Sequence, residues 1–292
     1  MGHPFTLAGQ QVYYHDENHA SGYFHTYDGL QLDPSRDPPR KIHVFLPRPY
    51  EESADRFPVL YLNDGNTAFW PGGLSPYSWE VPKVLGELYQ QRAIPPIIVV
   101  AIHPLNRSQE YLHVLEFSAP FQKEGGGLPD YAKYVVRLKQ FIDQHYRTLG
   151  DRQQTTILGS SHGGLAAFYI GCLYAQYFGN VGAISPSFWV GGVFNLSETP
   201  LIAAVKGSLQ SGDQNRPRLW IDWGLKRTGG FHNFVIEQQA TRWGRKMVEL
   251  LQRDYGYVQG LDLFQYEDET GGHDERAWSD RLGFVLKQFY QR

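Results

Sequence analysis

From residue 41 onward the chain alternates between short apolar runs and longer stretches with helical spacing. KIHVFLP (41–47), PVLYLND (58–64) and PPIIVVAIH (95–103) are apolar at nearly successive positions. That pattern predicts strands buried on both faces of a sheet. TTILG (155–159), VGAISPS (181–187), RLWIDW (218–223) and LDLFQY (261–266) read the same way. Between them, residues 79–90 place Trp79, Val81, Val84, Leu85 and Leu88 on one helical face. Residues 131–146 do so with Tyr131, Tyr134, Val135, Leu138, Phe141 and Ile142, and Asp130 is the expected N-cap. Further helices are expected over 162–178 (halted by Gly179), 232–253 and 275–290. The alternation predicts an α/β fold, a mostly parallel central sheet with helices on both faces. Such sheets carry their active loops at the carboxyl ends of the strands. The prolines of LDPSRDPPR (32–40) forbid regular structure there. Residues 1–40 are therefore read as an extension packing on a single domain spanning 1–292.

Composition narrows the function classes. Hydrophobic residues make up 41% of the 292, enough for a sizeable core. A net charge of −3, from 27 Lys plus Arg against 30 Asp plus Glu, argues against gripping nucleic acid. No run approaches the ~18 apolar residues of a membrane span. The opening MGHPFTLAGQQVYYHDENHA shows no basic leader with an apolar stretch, so the cytoplasm is the expected location. The one cysteine, Cys172, excludes an internal disulfide and lies in an apolar helical pattern, where an inert buried thiol is expected. No metal-ligand spacing and no cofactor motif is present, so neither group is expected.

The chemistry centres on Gly159-Ser160-Ser161-His162-Gly163, followed by Gly164. A Gly-x-Ser-x-Gly run is short, but here it closes a strand and opens a helix, the context a nucleophile elbow requires. Small neighbours tolerate the strained turn, and the helix N-terminus directs N–H groups at a developing oxyanion. A glycine-rich turn without chemistry is the plain competitor; a phosphate loop lacks its lysine. His162 adjoins the serine, and its backbone N–H, not its ring, is the natural donor. The base should follow the last strand, where Gly271-Gly272-His273 precedes the terminal helix. The orienting acid should follow an earlier strand; Asp222 is the candidate, with Asp268, Glu269 or a Ser–His dyad left open. Gly65 permits a turn after the second of the apolar runs, and the backbone N–H of Asn66 is the second expected oxyanion donor, although Asn63-Asp64-Gly65-Asn66 also suits an ordinary turn.

Taken in order, PVLYLNDGNTAFW, WEVPKVLGEL, IPPIIVVAIH with NRSQEYL, YVVRLKQFIDQHYRT, TTILGSSHGGLAAFYIG, VGAISPSFW and GGHDERAW resemble the putative esterase family of α/β-hydrolases. Esterase D, enterochelin esterases, feruloyl esterases and mycolyltransferases belong to that family, and the enterochelin-esterase-like branch is most similar. The resemblance implies an α/β-hydrolase fold and a serine carboxylic-ester hydrolase with Ser161 as nucleophile and His273 as base. Backbone donors would be Asn66 and His162. One departure stands out: where relatives carry an acid after Gly-Thr-x, this chain reads Gly224-Leu225-Lys226-Arg227, so Arg227 occupies the acid's place. Either Asp222 serves instead, or a dyad does, or activity is reduced.

A small-molecule ester is the expected partner, and the oligomeric state is left open. Trp70, Trp189, Trp223 and Arg227 are candidate substrate contacts, with Trp79, Phe188, Phe231, Arg107 and Lys226 nearby in the reading. Core packing and surface solvation are the ordinary alternatives for these residues. An aromatic or siderophore-type ester is the expected substrate class. An acyltransferase of the same fold and a non-catalytic binding protein are the rival functions. Gly125-Gly126-Gly127 favours mobility in the loop at 113–130, and whether that loop acts as a lid is left open.

Overall fold

A computed structural model describes residues 2–73, 76–113, 126–190, 195–227 and 234–291. Among the described residues ten strands form one sheet: β1 (His3–Leu7), β2 (Gln10–His15), β3 (Gly22–Leu30), β4 (Arg40–Pro47), β5 (Val59–Asn63), β6 (Ile98–Ile102), β7 (Thr155–Ser160), β8 (Asn180–Ile184), β9 (Arg218–Gly224) and β10 (Leu263–Asp268). Their spatial order is β1-β2-β3-β4-β6-β5-β7-β8-β9-β10. From β6 to β10 all neighbours are parallel, whereas β1 to β4 are antiparallel and β4 meets β6 antiparallel.

The helices are α1 (Pro49–Glu52), α2 (Gly65–Ala68), α3 (Val81–Gln90), α4 (Arg107–Glu110), α5 (Leu128–His145), α6 (His162–Leu173), α7 (Pro200–Gln210), α8 (Phe234–Tyr255) and α9 (Glu275–Tyr290). Alternate strand residues face opposite sides, so each strand feeds two cores. Val59 and Tyr61 pack with α5, α6, α7 and α8; Leu60 and Leu62 pack with α3 and α9. Helix α6 is buried from Gly163 through Cys172, all round its circumference. A helix with no polar face belongs in an interior. Cys172 lies there fully buried, and burial pushes its thiol pKa well up.

Two expectations need correction. Residues 3–30 do not merely pack on the domain: β1–β3 extend the sheet itself. Asp130 is not an N-cap either, because α5 begins two residues earlier at Leu128, with Gly127 at the cap and a proline in its first turn. Such a proline is tolerated because its missing N–H has no intrahelical partner. The loop at 113–130 lies largely outside the described residues, as does Phe231. Among the described residues no helix is long and apolar enough to cross a membrane.

Candidate active site

Strand β7 sits inside the parallel sheet between β5 and β8, and its carboxyl end delivers Ser161. Ser161 caps α6 with φ 54° and ψ −121°, a conformation that L-residues adopt only under restraint. The restraints are visible. Its N–H donates to the Ile184 carbonyl (3.0 Å), and its own carbonyl accepts from Ser187 N–H (3.0 Å) and Leu165 N–H (3.0 Å). A methyl group on Gly159 would sit 2.3 Å from the Gly163 carbonyl oxygen, so no larger residue fits beneath the turn. His162 opens α6, where the first N–H groups of a helix have no intrahelical acceptor. Asn66 is the second residue of α2, in the first turn after the N-cap Asp64. Ser161 is 6% exposed, and its hydroxyl lies 3.1 Å from the Ser187 hydroxyl, a neighbour the sequence reading did not single out.

His273 lies in the loop between β10 and α9, just before the N-cap Asp274, and is 4% exposed. Its ring meets the Trp278 ring edge-on, with centroids 5.4 Å apart. The loop is pinned at its root. Asp268 Oδ1 accepts from Gly271 N–H (2.8 Å), Thr270 N–H (3.0 Å) and the Thr270 hydroxyl (3.1 Å). Lys226 N–H donates to the Gly271 carbonyl (3.1 Å), joining this loop to the end of β9.

Asp222 is fully buried, and its carboxylate faces Arg281 on α9. Oδ1 lies 3.1 Å from Arg281 Nε and 3.3 Å from Ser185 N–H, while Oδ2 accepts from Trp220 Nε1 (2.8 Å). Arg281 also reaches Asp268 Oδ2 (3.1 Å) and the Ser185 hydroxyl (2.8 Å). The described hydrogen bonds of Asp222 and Asp268 go to Trp220, Ser185, Thr270, Gly271 and Arg281, and Glu269 is exposed. Burial pushes the Asp222 carboxyl pKa up against the pull of Arg281. Burial acts the same way on Asp268, but the Gly271 N–H and Arg281 outweigh it and hold that pKa down.

The other candidates separate by burial. Trp70 and Trp189 are half-buried, on opposite faces of the sheet, and Trp70 donates Nε1 to Glu17 (3.0 Å). Trp223 is a core side chain instead, fully buried with Gly244 against its ring. Trp79 and Phe188 are also fully buried. Arg227 ties down its own loop, donating to the Gly224 carbonyl (2.8 Å) and the Thr241 hydroxyl (2.5 Å). Arg107 is bound to Asp64, and Lys226 is exposed. A groove of about 1230 Å³ lies between α3 and the start of α9, lined by residues such as Phe69, Tyr77, Glu87 and Arg276. Its lining includes neither Ser161 nor His273, so the site is defined by strand-end geometry and not by this groove. Among the described residues no group of three His, Cys, Asp or Glu side chains could hold a metal ion.

Known proteins share this framework. The siderophore hydrolase EstA from Aspergillus nidulans superposes with a TM-score of 0.64 at 20% identity, over 89% of this chain and 93% of that one. The BES protein from Bacillus cereus gives 0.63 at 16% identity, over 100% and 98%. The enterobactin esterase FES from Shigella flexneri gives 0.62 at 19% identity, over 92% of this chain but only 59% of that one. In sequence, the uncharacterized protein YbbA of Bacillus subtilis (strain 168) is 26% identical over 170 residues, 57% of this chain. This chain spans 63% of the length of that relative. The family model described as "Putative esterase" matches residues 35–288, from just before β4 into the last turns of α9. The chain is therefore a member of the putative esterase family, built on the α/β-hydrolase fold.

Proposed function

We propose that the chain is a serine carboxylic-ester hydrolase working through an acyl-serine intermediate. The observation that carries this is the strained Ser161 at φ 54°, raised on a central strand end at a helix N-terminus. His273 accepts the Ser161 proton as Oγ attacks the ester carbonyl, and the N–H groups of Asn66 and His162 hold the oxyanion. The alkoxide leaves with that proton. His273 then draws a proton from water as its oxygen attacks the acyl carbon, and hands that proton to Ser161 Oγ as the acyl–serine bond breaks and the carboxylic acid departs. Asp222 and Asp268 both meet Arg281, which fastens the root of the loop that carries His273.

An aromatic or siderophore-type ester is the proposed substrate class. Structural relatives described as a siderophore hydrolase and a ferulic acid esterase support it. The decisive test is Ser161→Ala, assayed on aryl esters and with a fluorophosphonate probe. Turnover should drop on the order of 10⁴–10⁶-fold and labelling should vanish while the circular dichroism spectrum is unchanged. Undiminished hydrolysis by that variant would take Ser161 out of the mechanism.

A further inference from the structure

Arg107 stands at the joint between the two loops that carry the oxyanion donors. Its Nε donates to Asp64 Oδ1 (2.7 Å) and its Nη2 to Asp64 Oδ2 (3.0 Å). The same Nη2 reaches the Ser160 carbonyl at 3.4 Å. Asp64 is the residue that launches α2, two positions before Asn66, and Ser160 immediately precedes Ser161. The Asp64 carboxylate also abuts the elbow from the other side, since a methyl group on Gly163 would lie 2.8 Å from Oδ2.

The surrounding polar groups repeat the link. Asp64 sits in the left-handed region (φ 58°, ψ 47°), with its N–H donated to the Tyr111 hydroxyl (2.9 Å). Next to it, Asn63 donates Nδ2 to the Gly163 carbonyl (2.9 Å) and accepts from the Tyr131 hydroxyl (2.7 Å). An oxyanion hole made from two separate loops works only while both N–H groups converge on one point. A planar, bidentate guanidinium–carboxylate pair resists rotation as well as stretching, which a lysine cannot do. The Asp64 side chain is 8% exposed and that of Arg107 37%, so the pair is shielded on the protein side and open on the other.

We infer that Arg107 is a positioning residue for ester cleavage. Through Asp64 it holds the loop of Asn66 in register with the elbow of Ser161. This rests on the serine-esterase reading above.

The test compares Arg107→Ala, Arg107→Lys and Asp64→Asn by kcat and KM on a p-nitrophenyl ester, with amide hydrogen exchange over 63–69 and 159–165. Asn is chosen because it tolerates the left-handed backbone at position 64. All three should lose about 10–100-fold in kcat, the scale of a displaced catalytic group, with KM moving less than about threefold. Arg107→Ala with Asp64→Asn should be no slower than either alone, because both remove one interaction. Added ethylguanidine should restore part of kcat in Arg107→Ala, and exchange should quicken in both segments. A kcat within about twofold of wild type, a loss in KM alone, fully additive losses, or unchanged exchange would each overturn the assignment. Failure of the esterase reading looks different: wild type itself would then show no Ser161-dependent turnover, and the exchange data would decide the clamp alone.

Discussion

Replacing Arg281 by Met removes a cation that is 1% exposed and serves three partners: Asp222, Asp268 and the Ser185 hydroxyl. The methionine fills much of the same stem volume, so the loss is chiefly electrostatic. Asp222 then keeps only Trp220 Nε1 and Ser185 N–H as donors, in a site with no exposure. Removing one partner of a buried ion pair costs about 3–5 kcal/mol. With an m-value of about 3 kcal/mol/M, the urea midpoint should fall by about 1–2 M at pH 7.

The size of that loss should depend on pH. The folded pKa of Asp222 is already raised by burial, and losing Arg281 raises it further. The ionised carboxyl therefore weighs most against the variant at neutral pH, and its protonation on acidification relieves the penalty. Asp268 works in the same direction. Its folded pKa is held down in the wild type, which adds stability above the unfolded pKa that is lost as pH falls through the folded value. The variant has less of this to lose. Urea titrations of both proteins at pH 7, 5.5 and 4 should show the gap narrowing. A gap below about 1 kcal/mol at pH 7, or one that stays constant down to pH 4, would refute the argument.

Two further outcomes follow from the site and its flank. Gly159→Ala drives a methyl group to within 2.3 Å of the Gly163 carbonyl oxygen, so esterase activity should fall about 100-fold and stability by about 1–3 kcal/mol, read by kcat and urea unfolding. Burial lowers the pKa of His43 to about 3 and that of His103 to about 4, so the unfolded chain takes up protons there that the folded one refuses. Unfolding free energy should therefore fall as pH drops below about 6.5, at up to about 1.4 kcal/mol per pH unit for His43, and His43→Gln should flatten that slope.

The parallel half of the sheet was legible because its strands are buried on both faces and read as unbroken apolar runs. Strands β1–β3 were not, since QQVYYH and GYFHTYDGL mix aromatic, polar and glycine positions, as antiparallel strands with one wetter face do. Helix α7 was also missed, although Thr199 accepting from Ile202 N–H and a proline in the first turn are an ordinary helix start. The strand–turn–helix around Ser161 and the loop carrying His273 were legible because their glycines and flanking elements are written in consecutive residues. Arg281 could not be found that way. In the sequence it is one more charge on an amphipathic helix, and only the folded chain brings it to Asp222 and Asp268.

The strand order also separates how firmly the two halves of the chemistry are held. Ser161 rises from β7, flanked by hydrogen-bonded neighbours on both sides, whereas His273 hangs from β10, the outermost strand, which has a partner on one side only. Opening of the sheet begins most cheaply at its margins. On the proposed mechanism, the nucleophile and its elbow can thus persist in a partly frayed molecule that has already let go of its proton acceptor, so ester hydrolysis should be lost under conditions in which most of the chain stays folded.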